Sequence, residues 1–100
     1  MEKRTPHCKL TLVKSLVGAN RVRATASAFA GARSLGIDDL HGICAVVMAL
    51  EPRHFYKSMT THADHRIWQD VYHASTPAGD DVYVKLTVVE DVLIVSFKEL

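Results

Sequence analysis

Only two of the 100 residues are cysteine, Cys8 and Cys44, and only three are proline. Two thiols cannot build a disulfide framework, so the fold must rest on an apolar core, and such usage suits a reducing cytoplasm. The longest uninterrupted apolar run, Ile43 to Leu50, falls well short of the ~20 residues a membrane-spanning helix needs. No N-terminal stretch reads as a signal peptide, because Lys14 interrupts the one apolar segment there. The five glycines are scattered, and none forms the glycine-rich strand-to-helix loop that cradles phosphate. Charge of one sign is lacking as well. Twelve Lys and Arg against eleven Asp and Glu leave a net charge of +1, which as a bare sum argues against a nucleic-acid partner.

What is present is ordinary for a globular protein, with 48% apolar and 23% charged residues. At this length there is room for one core, so residues 1–100 are expected to form a single domain. The first half reads as helical and the second as strand-forming, which is an α+β pattern with an antiparallel sheet packed against N-terminal helices. Thr5 followed by Pro6 predicts a helix over residues 6–18, with Leu10, Val13, Leu16 and Val17 on one face. Arg21 to Thr25 reads as extended. Thr25 or Ser27 then caps a second helix containing Phe29 and Leu35 and stopped by Gly36. Asp38 and Asp39 open a third, Leu40 to Leu50, which is apolar nearly all round, reads as a buried helix against the sheet, and is ended by Pro52.

From Phe55 onward, aromatic and β-branched residues dominate, broken by turns at His62 to His65 and Ser75 to Asp80. Asp81 to Val89 and Val92 to Lys98 both alternate, with only Glu90 and Asp91 between them, so a tight hairpin is the economical reading. A turn centred between those two residues sets Leu93, Val95 and Phe97 opposite Val88, Leu86 and Val84 as an apolar face. On the other face it sets Tyr83 against Lys98 and Lys85 against Ser96. That second face is either a solvated exterior or a surface with chemistry. For the preceding hairpin, a turn centred on Ala63 puts Lys57 opposite Gln69, and an even turn puts it opposite Asp70.

Among groups that could carry chemistry, His62 and His65 flank Asp64 in a polar turn, but the spacing matches no zinc site. His7, His41, His54 and His73 are scattered, and no metal site is expected. Neither cysteine has a recognisable His and Asn partner for nucleophilic catalysis. The charge distribution says more than its sum. Residues 1–36 hold Lys3, Arg4, Lys9, Lys14, Arg21, Arg23 and Arg33 against Glu2 alone, a segment of +6, and the remainder is −5. A basic helical segment containing Lys9 and Lys14, beside a sheet displaying Tyr83, Lys85 and Lys98, suits RNA, whose phosphates pair with cations and whose bases stack on aromatics. A merely solvated basic helix is the other reading.

The opening MEKRTPH, the block FYKSMTT (Phe55 to Thr61), DH-x-IWQDVY (Asp64 to Tyr72) and the ending DVLIVSFKE (Asp91 to Glu99) resemble the MqsR family of bacterial toxins. The resemblance runs the length of the chain and is weaker over residues 26–50 and 73–81. It implies a RelE-like fold and a sequence-selective endoribonuclease that cleaves mRNA at GC-containing sites such as GCU, without the ribosome and without a cofactor. It implies catalytic residues at Lys57, Gln69, Tyr83 and Lys98, with Lys9, Lys14 and Lys85 expected to bind RNA. It also implies a cognate MqsA-like antitoxin with a zinc-binding domain and a helix-turn-helix domain, through which alone DNA is contacted. On this reading Lys57 and Lys98 neutralise phosphate charge, Tyr83 moves a proton or orients the 2′-hydroxyl, and Gln69 positions the phosphate or a base. No histidine has a role, His65 being the nearest candidate. A non-catalytic RNA-binding module is the competing expectation.

Overall fold

The computed structural model describes residues 1–100. Its elements in chain order are β1 (Glu2–Lys3), α1 (Leu10–Gly18), β2 (Val22–Ala24), α2 (Ala26–Arg33), α3 (Leu40–Met48), a 3₁₀ turn (Pro52–His54), β3 (Phe55–Thr60), β4 (Trp68–Ser75), β5 (Asp81–Val89) and β6 (Asp91–Glu99). The strands form one six-stranded sheet in the order β1-β3-β4-β5-β6-β2. Every pairing is antiparallel except that of the edge strand β2 with β6. The expected α+β class with a sheet against N-terminal helices is the class observed.

The helices cover one face. Val13 and Val17 of α1, Ala28 and Ala32 of α2, and Ile43, Val46 and Val47 of α3 form one buried cluster with Tyr72, Val82, Val84, Leu86, Val92, Ile94 and Phe97 of the sheet. Two of the expected caps form: the Thr25 hydroxyl accepts from the Ala28 N–H at 3.0 Å and the Asp39 carboxylate from the Gly42 N–H at 2.9 Å. The third helix ends at Met48, and it is less enclosed than its composition suggests, since His41, Ala45 and Met48 are exposed.

The first helix starts at Leu10 and not at residue 6, and its preceding residue, Lys9, provides no side-chain cap. The backbone N–H groups of His7 and Cys8, which a helix from Pro6 would leave among its unpaired first donors, instead donate to the two carboxylate oxygens of Asp70, each at 3.0 Å. Residues 7 and 8 are thereby tied to β4. The segment ahead of them adds β1 to the sheet edge, a strand too short to leave a periodic signal.

The last hairpin keeps half of its expected register. Tyr83 pairs with Lys98, Val84 with Phe97 and Lys85 with Ser96, but Leu86 then pairs with Ile94 and Val88 with Val92. Val95 is an extra residue in β6, and the turn closes through Glu90 at φ 67°. The buried side of β6 is therefore Val92, Ile94 and Phe97, in place of the expected Leu93, Val95 and Phe97. The Thr25 hydroxyl donates to the Val95 carbonyl at 2.8 Å, which occupies the bulged residue.

α2 lies so close to β6 that a Cβ placed on Gly31 would stand 1.8 Å from the Phe97 carbonyl oxygen, while one on Gly18 would meet nothing within 4 Å. Gly31→Ala is expected to lower stability by about 1–3 kcal/mol or more, because backbone cannot yield as a side-chain end can. Gly18→Ala is expected to be neutral or stabilising by about 0.5–1 kcal/mol. Urea unfolding midpoints of the two variants measure the difference.

Candidate active site

Strand alternation sends Tyr83 and Lys85 to the face opposite the helices, and the pair register extends that face across the sheet. One row runs Lys57, Val71, Lys85, Ser96 and another runs His73, Tyr83, Lys98. Val71 is 0% exposed yet stands outside the helix-side core cluster, so the open face has a small apolar floor of its own. Lys57 and Lys85 lie on either side of it in register.

Lys57 is opposite Val71, and neither Gln69 nor Asp70 faces it; Gln69 is opposite Met59. The turn is centred on Asp64, not on Ala63. Thr61 N–H donates to the Ile67 carbonyl, the Asp64 N–H donates to the Thr61 hydroxyl, and the Asp64 carboxylate accepts from the backbone and side chain of Arg66. These bonds explain the acid between His62 and His65, both of which are exposed in the turn. No three His, Cys, Asp or Glu side chains converge anywhere in the molecule. Gln69 shares the open face with Lys57 but lies one row further along.

The row of Tyr83 and Lys98 contains two residues that sequence reasoning passed over. The register of β3 shifts between Phe55 and Lys57, which turns Tyr56 out onto the open face. Its ring stacks on His73 with centroids 4.3 Å apart and planes 23° from parallel, and His73 lies 6.1 Å from the Tyr83 ring. Cations crowd these rings. The Arg4 guanidinium is 5.3 Å and the Lys57 ammonium 5.4 Å from the Tyr56 centroid, and the Lys98 ammonium is 5.0 Å from that of Tyr83. Arg4 also donates to the Tyr56 carbonyl at 3.3 Å. In-phase positions on β4 and β5 would have found His73, had the length of the turn between them been readable. A bulge leaves no such signal for Tyr56.

The lysines differ electrostatically. Lys57, whose side chain is 20% exposed, donates to Glu2 at 2.5 Å. That hydrogen bond, outweighing the opposing effect of burial, holds the ammonium above the ordinary lysine range and the Glu2 carboxyl below the ordinary carboxylate range. The carboxylate's share of this tether is present above the ordinary carboxylate pKa and fades as pH falls through the depressed value. The ammonium's share is complete below the ordinary lysine pKa and fades as pH rises through the raised one, so the pair is intact through neutrality. Lys85 is displaced the other way, by burial first and then by the charges of Lys98 and Lys57.

Lys9 and Lys14 are not brought to this face. They precede and belong to α1, whose Val13 and Val17 pack on the opposite side of the sheet. A cavity of about 370 Å³ between α1, α3 and β2, lined by Val17, Val22, Leu40, Cys44 and Met48 among others, is also on that side.

A small α+β domain whose uncovered sheet face combines Arg4, Lys57, Lys85 and Lys98 with stacked rings has the chemistry of a nucleic-acid-directed protein, cations for phosphate and aromatic planes for bases. The chain belongs to the family described as motility quorum-sensing regulator, toxin of MqsA, which it matches over residues 5–99. It is 57% identical over 99 residues, 99% of each chain, to the mRNA interferase toxin MqsR of Escherichia coli (strain K12).

Replacing Glu2 by Gln should return the Lys57 ammonium toward its ordinary titration, as followed by NMR of the side-chain resonances. The thermal melt should change little, since an ion pair this accessible to water contributes little net stability.

Proposed function

We propose that the chain is an endoribonuclease toxin that cuts mRNA on the open face of its sheet. The reading rests on one observation above the others: Lys57, Tyr83, Lys85 and Lys98, distant in sequence, stand together on a face that nothing in the chain covers. The substrate preference is for GC-containing sites such as GCU, and cutting needs neither the ribosome nor a metal. RNA carries its own nucleophile, so attack of a 2′-hydroxyl on the adjacent phosphate yields a 2′,3′-cyclic phosphate and a 5′-hydroxyl.

Such a reaction asks the protein for charge stabilisation and proton movement. A lysine of ordinary pKa is deprotonated in only about one molecule in a few thousand at pH 7. Lys57, held still more firmly in the charged form by Glu2, is suited to neutralise the phosphorane-like transition state and poorly suited to accept a proton. Lys98, beside the Tyr83 ring, serves the same phosphate. Tyr83 supplies the proton that the departing 5′-oxygen needs, and Gln69, one row away, positions a neighbouring base or phosphate. Lys85 binds RNA from between them. Lys9 and Lys14 act on RNA outside the cleavage site, through charge on the helical layer.

The toxin is partnered by a cognate MqsA-like antitoxin that has a zinc-binding domain and a helix-turn-helix domain. The zinc belongs to that partner, and the complex, not the toxin alone, meets DNA at its own promoter. The cytoplasm is the compartment in which mRNA and such an antitoxin are available.

Purified chain in EDTA is expected to cut an RNA containing GCU and to leave 2′,3′-cyclic phosphate ends. Lys57→Ala and Tyr83→Phe should each lower the rate by ~100-fold or more with the melt nearly unchanged. Undiminished cutting in both variants overturns the assignment, RNA binding without any cut product supports a non-catalytic module, and 5′-phosphate ends formed only with added divalent ions support a metal hydrolase. Replacing Lys9 and Lys14 together by alanine should weaken RNA affinity and flatten its salt dependence by about two phosphate contacts while the cleavage step is retained, as read by filter binding across a salt series beside single-turnover rates.

A further inference from the structure

Two lysines, a tyrosine and a glutamine leave one requirement poorly met. Attack by the 2′-hydroxyl needs an acceptor for its proton, and ordinary phenols and ammonium groups hold theirs near pH 10. Imidazole is the side chain whose ordinary pKa falls where cells operate. Five of the six histidines are occupied elsewhere. His7 stacks on Trp68 and contacts Lys3, His41 lines the cavity on the helical side, and His54 accepts from the Glu51 N–H. His62 and His65 lie in the exposed β3–β4 turn.

His73 is different. It stands directly opposite Tyr83 in register, in the row that continues to Lys98, with its ring stacked on Tyr56. Its side chain makes no hydrogen bond within the chain, and no polar side-chain atom in the molecule is buried without a partner, so its ring nitrogens are open to a ligand on that face. We propose that His73 is the general base of the cleavage reaction. The assignment rests on the nuclease reading above and gives that site its missing proton acceptor.

In the step it performs, a neutral ring nitrogen of His73 takes the proton of the 2′-hydroxyl as the 2′-oxygen forms its bond to phosphorus. The bond from phosphorus to the 5′-oxygen breaks, and that oxygen leaves with the proton of the Tyr83 hydroxyl. Solvent then returns a proton to Tyr83 and removes one from His73, so no other reactant is consumed. The charged and titratable groups that surround the imidazole come from every strand beside it. Arg4, Tyr56 and Lys57 lie on the β1 and β3 side, Tyr83, Lys85 and Asp81 on β5, and Lys98 on β6. The Lys57 charge is shared with Glu2.

The test is the pH dependence of single-turnover cleavage of a GCU-containing RNA in EDTA. The unsubstituted chain should show a rate that climbs with pH across the range in which imidazoles titrate, ~5 to 8, and then levels. His73→Gln should lose ~100- to 1,000-fold and lose that limb. His73→Ala should regain rate on addition of free imidazole, which a structural role would not allow, and His65→Gln should match the unsubstituted chain. An unchanged rate and profile in His73→Gln overturns the assignment while leaving the nuclease reading in place. A loss in His73→Ala that imidazole does not restore, accompanied by weakened RNA binding, assigns the ring to stacking and also overturns it. No cleavage by the unsubstituted chain overturns the nuclease reading itself.

Discussion

The carboxylate of Asp70 is 2% exposed, and it accepts from the backbone N–H groups of His7 and Cys8. An ionised group so deep is costly unless its oxygens are met by donors, and charge-assisted bonds to backbone are among the stronger ones available. Much of the molecule follows from this contact. It removes residues 7 and 8 from α1, and it directs the preceding residues back along β3. There the Met1 ammonium donates to the Thr60 hydroxyl, the Thr60 N–H donates to the Met1 carbonyl, and Lys3 and His7 cover Trp68. The carboxylate lies on the helix side of the sheet, yet its consequences are felt on the other side, since the strand it sets in place carries Glu2 to Lys57 and is followed by Arg4 at Tyr56. The same charge reinforces burial in pushing the Tyr72 hydroxyl up to about 12, which keeps that core phenol neutral.

Division of the sheet into two faces also explains why net charge was a poor guide. The +6 of residues 1–36 is not delivered as one patch. Lys9 and Lys14 stay with the helices, Arg21 pairs with Asp91 at the turn of the last hairpin, and Arg4 alone reaches the aromatic row. The open face draws its other cations from the acidic second half, and it sorts them. Lys57 and Lys85 flank the same buried Val71, but one is fixed in its charged form by a carboxylate while the other is pushed toward neutrality by burial and by its neighbours. A phosphate arriving between them competes with Glu2 for Lys57 and relieves the repulsion felt by Lys85. The first change costs the pairing with Glu2, and the second favours an anion over the empty face.

What could be read from the residues was whatever local rules determine. The alternation of Asp81 to Val89 and the proximity of two strands joined by a short turn were enough to bring Tyr83 against Lys98. Thr25 and Asp39 were readable as caps because their side chains act within one helical turn. The failures are equally physical. Thr5 and Pro6 form a sound helix start, overruled by a carboxylate more than sixty residues away in sequence. The β3–β4 turn is centred by the bonds of Asp64, a preference that residue counting does not reveal, and this moved Lys57 off Gln69. His73 looked scattered because its neighbour across the sheet depends on the Ser75 to Asp80 turn, in which Thr76 organises the chain by bonds to Gly79 and Asp80.

The two bulges are the deeper reason the site was only half visible, and they account for its composition. A strand without irregularity would put Tyr56, next to the outward Lys57, on the helix side and leave Phe55 outside. With one residue inserted, Phe55 turns inward to pair with Tyr72, its ring meeting that of Tyr72 edge-on at 5.6 Å, and Tyr56 joins Lys57 on the open face. In β6 the extra Val95 does the converse. It lets Val92 and Ile94 point inward on one side and Phe97 on the other, while Ser96 and Lys98 stay in register with Lys85 and Tyr83. Each bulge changes which face a stretch of strand presents, one step from the row that holds Lys57 and Lys85. A regular strand of the same sequence would have to choose between exposing Lys57 and burying Phe55 with Tyr56 exposed. The insertion meets both demands, and it is what allows a core-forming strand to supply a stacked ring to His73.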